Sequence, residues 1–211
     1  MRCEELVVLS SDRLFSPSAE RNKGPISEVL SQVLPECGVV LEVGSGSGTG
    51  QHVVQFARAM PKLIWQPSER DADCLRSIRT WLSVEALSNV RPPLHLDVKV
   101  LPWPVDSAAT LLCINMVHIA PWSVAEVLFS GGKFLLSGGS LLCLYGPFKR
   151  DGQHTSQSNK DFDALLRRQD PGWGVRDLDE VSGLAEANGF DFLQTHEMPS
   201  NNLTIVFQKR G

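Results

Sequence analysis

The stretch from Val39 to Gly50 constrains the fold more than any other part of the chain. It begins with Val39, Val40 and Leu41, an apolar run with the character of a buried strand. It then loses its side chains at Gly44, Gly46, Gly48 and Gly50, where a ligand can approach the backbone closely. Gln51 to Met60 follows with Val53, Val54, Phe56 and Ala57 at helical spacing, and Pro61 stops it. A strand, a glycine turn and a helix start make a nucleotide-binding element at the carboxyl edge of a parallel sheet.

The spacing of the glycines narrows the ligand. A dinucleotide fingerprint reads G-x-G-x-x-G and seats pyrophosphate on the helix N-terminus. Here the spacing is G-x-G-x-G, and an acid, Glu42, precedes it. This pattern resembles motif I of class I S-adenosylmethionine-dependent methyltransferases. That cosubstrate has no phosphate, and its methionyl ammonium suits an acid beside the turn. A tight turn in another α/β protein is the alternative, and a nicotinamide oxidoreductase fits less well because the third glycine is misplaced.

The chain has 211 residues, a usual length for one domain with a sizeable core. Residues 1–12 read as a loosely ordered, flexible extension and 13–211 as a single domain. The net charge of −4 gives no overall basic footprint for nucleic acid. Lys149-Arg150 and Arg167-Arg168 are the notable local basic pairs. The five cysteines are scattered and lack C-x-x-C pairing, and Cys113 and Cys143 lie in apolar runs. This points to reduced thiols, an intracellular setting (cytoplasmic or nuclear) and no zinc site. No apolar run approaches membrane-spanning length.

The remaining elements place the candidate site. Ser16 or Ser18 is able to cap a short helix. Ile26, Val29, Leu30 and Val33 predict a helix from Pro25 to Leu34. Glu20-Arg21-Asn22-Lys23 reads either as a solvated helix start or as a lid whose cations meet the cosubstrate carboxylate. Lys62 to Gln66 predicts strand two. An acid near its end takes ribose hydroxyls in such folds, and Gln66 fills the usual place. Glu69, three residues later, is the nearest acid for the role, or else a surface acid capping the helix from Asp71 to Val84.

Leu94 to Leu96 is strand three and closes with Asp97. In the methyltransferase pattern an acid there bonds the adenine amino group, and Val98 supplies the next contact. Leu101-Pro102-Trp103-Pro104 is too proline-rich for a helix, and Trp103 is expected to pack over a sheet edge or pocket. Thr110 to Met116 is strand four, ending at Asn115. His118 and Trp122 follow. Ligands bind outside the carboxyl ends of the strands, so Asn115, Met116 and His118 fall at the site, although a lone His is also a common structural residue. A helix from Trp122 to Leu136 is expected to break at Gly131-Gly132, and Ser140 to Tyr145 is strand five. In the irregular insertion 149–176 a short helix buries Phe162, Leu165 and Leu166. A helix from Leu178 to Ala187 and a hairpin of Phe190 to Met198 with Leu203 to Gln208 close the chain.

Seven motifs narrow the resemblance. They are Ser16-Pro17-Ser18-Ala19-Glu20-Arg21-Asn22-Lys23, Trp65-Gln66-Pro67-Ser68, Trp103-Pro104, Asn115-Met116-Val117-His118-Ile119, Leu144-Tyr145-Gly146-Pro147-Phe148, Asp170-Pro171-Gly172-Trp173-Gly174 and Asn201-Asn202-Leu203. Together, over residues 13–209, they resemble the methyltransferase-like protein 26 family. The resemblance implies an α/β Rossmann-like class I fold: a seven-stranded, mostly parallel sheet with an antiparallel last strand and helices on both faces.

The expected activity is methyl transfer from S-adenosylmethionine to an unidentified acceptor, a small molecule or a protein, giving S-adenosylhomocysteine. The alternative is a module that binds the cosubstrate without turnover. Cosubstrate contacts are expected from Arg21, Asn22, Lys23, Glu42, Gly44, Ser45, Gly46, Gly48, Glu69, Asp97, Val98, Asn115 and Met116. His118 is the candidate base, with Asn115 orienting the acceptor. Asp/Asn-Pro-Pro-Tyr is absent after strand four, which counts against methylation of an exocyclic base amine.

Overall fold

The computed structural model describes residues 7–10, 12–45 and 49–211, with the side chains of 7–10 left aside. The element order is β1 (Val7–Ser10), β2 (Arg13–Phe15), α1 (Pro17–Val33), β3 (Gly38–Val43), α2 (Gln51–Ala59), β4 (Leu63–Glu69), α3 (Ala72–Glu85), β5 (Leu94–His95) and β6 (Ala108–Ile114). A 3-10 turn (Met116–His118) and α4 (Trp122–Leu135) follow. The chain continues with β7 (Leu136–Arg150), β8 (Gln153–His154), α5 (Gln157–Gln169), β9 (Arg176–Asp177), α6 (Leu178–Ala187), β10 (Phe190–Met198) and β11 (Asn202–Lys209).

The main sheet has the order β5-β4-β3-β6-β7-β11-β10. Strands β3 to β7 are mutually parallel, and β11 runs antiparallel between β7 and β10. This is the expected seven-stranded arrangement. β8 and β9 pair with the far end of β7.

Both faces of the sheet are covered, so its central strands are continuous apolar runs. Successive side chains leave a strand on opposite faces. Leu41 and Val43 of β3, with Leu111 and Cys113 of β6, join Leu128 and Phe129 of α4 and Val181 of α6. Val40, Leu112 and Ile114 pack on the other face against Ile26 and Leu30 of α1, Phe56 of α2 and Ile78 of α3. Cys113 and Cys143 are both in the core, as expected.

Several elements differ from expectation. Four residues of the expected loose extension, Val7–Ser10, pair antiparallel with β2; residues 1–6 and 11 lie outside the described residues. α1 begins eight residues early and runs through Pro25. Ser16 caps it, accepting a hydrogen bond from Ala19 N at 3.1 Å. Pro25 removes one helical hydrogen bond, and the buried Ile26, Ser27 and Leu30 hold the helix past it.

α4 is not interrupted at Gly131-Gly132. A Cβ on Gly131 would come within 2.5–3.0 Å of the Trp103 ring, and one on Gly132 within 3.1 Å of Leu111. The two glycines admit close packing instead of breaking the helix, and Trp103 covers α4. β7 runs on to Arg150, beyond the expected end. On α5, Leu166 is buried but Leu165 faces solvent. Asn159 and Asp163 take the inward positions.

Candidate functional site

The carboxyl ends of β3, β4, β5 and β6 open into a cavity of about 400 Å³, within the ~300–1,000 Å³ of small-molecule sites. Its walls include Gly44, Glu69, Asp97, Val98, Asn115 and Met116. Six of the expected site residues, spread over 73 positions of sequence, are therefore brought together.

The glycine turn begins at Gly44, which has φ +65. A side chain there would be strained, and its Cβ would lie 3.3 Å from the Met116 side chain. Gly46 and Gly48 lie outside the described residues. Ser45 is buried and does not line the cavity. Its hydroxyl accepts from Ser68 N at 3.1 Å and so ties the end of β3 to β4.

Glu42 was expected to face the ligand. It is fully buried instead, on the face of β3 that Val40 shares, and it is absent from the described cavity wall. Neither carboxylate oxygen has a hydrogen-bond partner among the described residues. Burial pushes its pKa up to about 7, partly offset by the nearby Ser45 and reinforced by Glu69.

β4 ends three residues later than expected, and this brings Glu69, not Gln66, to the cavity. Gln66 is buried and donates to the carbonyls of Pro67 and Pro92, at 3.1 and 2.9 Å. Glu69 is the last residue of the strand and lines the cavity. Its Oε1 accepts from Arg70 N and Asp71 N, and burial raises its pKa. Asp71, not Glu69, caps α3. One strand over, Asp97 stands just past β5, its Oδ1 accepting from Lys99 N at 2.9 Å, with Val98 buried beside it.

After β6, Asn115 turns with φ +59 and hands the chain into the 3-10 turn. Asn115 and Met116 face the cavity, but His118 does not. Its ring is 0% exposed and meets Phe148 edge-on, with ring centroids 4.8 Å apart. Nδ1 accepts a long bond, 3.4 Å, from Arg176 N, while Nε2 has no partner among the described residues. Burial, helped by the Arg176 charge, holds its pKa down to about 3, against the Gly174 hydrogen bond and Asp163. A buried imidazole this weakly basic lacks both the access and the proton affinity of a general base. That role is withdrawn on geometry.

Arg21, Asn22 and Lys23 sit on the first turns of α1 and are not part of the described wall. The helix start does stand beside the start of α2: Gln51 accepts from Ser16 N at 2.7 Å and donates to Glu20 at 2.8 Å. Lys23 is paired with Glu20 at 2.7 Å, and Asn22 Oδ1 is 2.7 Å from His52 Nε2. The acid of this cluster, Glu20, answers Lys23, one of the two cations that were expected to meet a carboxylate.

Phe162, Asp170 and Trp173, from the insertion, also line the cavity. Sequence reasoning placed Phe162 on the buried face of a short helix and gave Asp170 and Trp173 no individual role, although both belong to a quoted motif.

Among the solved structures with this architecture are methyltransferases. Superposition on mitomycin 7-O-methyltransferase MmcR gives a TM-score of 0.78 at 15% identity, over 92% of this chain and 55% of that one. A putative O-methyltransferase from Nostoc punctiforme gives 0.77 at 15%, over 92% and 57%. CalO1, a methyltransferase in calicheamicin biosynthesis in its SAH-bound form, gives 0.72 at 15%, over 90% and 55%. The chain thus spans a little over half the length of these proteins. The fold is the α/β Rossmann-like methyltransferase fold. Within it, the chain belongs to the family described as Protein of unknown function (DUF938), whose model matches residues 13–209.

The residues present fit S-adenosylmethionine. The Gly44 turn leaves the backbone bare, and Glu69 and Asp97 offer carboxylates at the ends of adjacent strands. Leu96, Val98 and Met116 offer apolar wall for a purine. Four acids against two bases line the cavity, which suits a ligand carrying a sulfonium and an ammonium.

Proposed function

We propose that the protein is an S-adenosylmethionine-dependent methyltransferase. The observation that carries this reading is the joint presence of Gly44, Glu69, Asp97 and Val98 on one cavity wall. Glu69 would take the ribose hydroxyls and Asp97 the adenine amino group. Asn115 and Met116 would border the transferred methyl. In-line displacement at a sulfonium carbon needs chiefly that two reactants be held in line, and S-adenosylmethionine supplies the activated methyl. The finer resemblance, to methyltransferase-like protein 26, rests on the seven motifs. The scattered cysteines support an intracellular setting.

A second reading, cosubstrate binding without turnover, is favoured by one observation. No histidine lines the described cavity, so the imidazole base expected at the acceptor is missing. Calorimetry with S-adenosylmethionine, S-adenosylhomocysteine and NAD tests the shared part of both readings. Tight binding of the first two and weak binding of NAD is the expected result. Preference for NAD would overturn both. Methyl transfer to any acceptor then separates the enzyme from the module.

A further inference from the structure

The insertion supplies one end of the cavity. There Phe162 of α5, Asp170 at its carboxyl cap and Trp173 stand with Ile119, Ala120 and Pro121. The turn that carries Asp170 and Trp173 is held from behind. Gly174 N donates to the His118 carbonyl at 2.9 Å, and Val175 N to the Asp163 carboxylate at 2.7 Å. The Arg176 guanidinium donates to the carbonyls of Val117, Ala120 and Gly172. A Cβ on Gly174 would come within 2.7 Å of both Arg167 and Asp163. The turn is therefore built at a fixed height over the 3-10 turn, and the buried His118 is one of its struts.

Asp170 is the polar group of this apolar end. Its Oδ1 accepts from Gly172 N at 2.8 Å. Its second oxygen has no hydrogen bond, and the carboxylate no ion pair, among the described residues. A half-buried carboxylate with spare acceptor capacity on the cavity wall is able to take a donor from a ligand.

We propose that Phe162, Asp170 and Trp173 form the methyl-acceptor subsite, and that it takes a flat apolar ring bearing an O–H or N–H donor. The proposal rests on the methyltransferase reading above. The apolar walls hold the ring, and Asp170 receives the donor and so orients the atom that bears it. An acceptor carrying its own carboxylate is disfavoured here, because it offers Asp170 no donor and sets a second negative charge beside it. His118 and Arg176 are positioning residues for this turn.

The test uses the whole protein saturated with S-adenosylhomocysteine, and three probes: naphthol, its methyl ether and naphthoate. Binding is read by calorimetry for wild type, Asp170→Asn and Trp173→Ala, with circular dichroism as the folding control. Naphthol should bind, and its ether and naphthoate should bind about tenfold or more weakly. Asp170→Asn keeps an acceptor for Gly172 N–H, so it should fold. It should weaken naphthol about tenfold and leave S-adenosylhomocysteine within about twofold. Trp173→Ala should weaken naphthol and its ether alike. Equal binding of naphthoate and naphthol, or unchanged naphthol affinity in folded Asp170→Asn, would overturn the subsite. If S-adenosylhomocysteine fails to bind wild type, the methyltransferase reading falls instead, whatever the probes do.

Discussion

Replacing His118 by Gln separates a structural imidazole from a catalytic one without any acceptor in hand. The wild-type ring is fully buried, and its pKa is held down from 6.5 to about 3 by burial first and the Arg176 charge second. Above pH ~6.5 the group is neutral in folded and unfolded chains alike, so it adds no pH dependence. Between the two values the unfolded chain takes up a proton that the folded chain refuses. Stability is therefore lost on acidification, by ~1.4 kcal/mol per pH unit, or roughly 2 kcal/mol at a pH of about 5. His118→Gln removes that contribution while every other titrating group stays. The variant should be less stable than wild type at neutral pH by about 0.5–1.5 kcal/mol, from the lost edge contact on Phe148. By a pH of about 5 the order should reverse, because wild type alone carries the acid penalty. Urea unfolding followed by circular dichroism at several pH values reads both slopes. Parallel slopes would refute the reasoning. They would mean that the imidazole titrates against water in the folded protein, and they would restore His118 as a candidate base.

Glu42→Gln should act with the opposite sign. The wild-type carboxyl is raised from 4.5 to about 7 by burial, so its folded-state advantage is full in acid and lost as pH rises through 7. The neutral variant should be the more stable of the two at alkaline pH, by up to ~3 kcal/mol in the same urea titration. Asp97→Ala should weaken S-adenosylmethionine binding about tenfold or more by calorimetry, through loss of one charged acceptor, while the half-buried site keeps its fold. Gly146→Ala should destabilise by about 1–3 kcal/mol in urea: the new Cβ would overlap His118 Nε2 and lie 3.1 Å from Asn115 Oδ1.

The sheet was legible because its signal is local. Val39 to Leu41, Leu111 to Ile114 and Leu141 to Leu144 each sit between two covered faces, so each is apolar without alternation. Asp97, Val98 and Asn115 were legible because strand ends can be counted. Glu69 was offset only because β4 continues through Pro67, and a proline reads as a stop. In the structure Pro67 lies opposite Glu42 of β3 and Glu69 ends the strand.

The burial of His118 and Glu42 was not legible. Glu42 is buried because β3 continues through it and turns it to the covered face that Val40 shares, and His118 because of partners 30 and 58 residues away, Phe148 and Arg176. Gly131-Gly132 misled for a related reason. Glycine lowers helix propensity locally, but here its small size serves the packing of Trp103 and Leu111.

The place of β11 has a consequence for how the molecule assembles. This strand lies between β7 and β10, pairing with seven residues of one and eight of the other. It is also the last strand of the sheet in sequence, spanning Asn202–Lys209. During synthesis, β10 therefore waits without its sheet neighbour while β7 keeps an open edge. Native β-sheet pairing across that gap starts only when residues 202–209 have cleared the ribosome. Pairings of such sequence separation form slowly, and unpaired strand edges invite wrong partners in the interval. A nascent chain stalled before residue 202 would expose Val206's and Ile205's future neighbours on β7, Cys143 and Leu144, along an unprotected apolar edge.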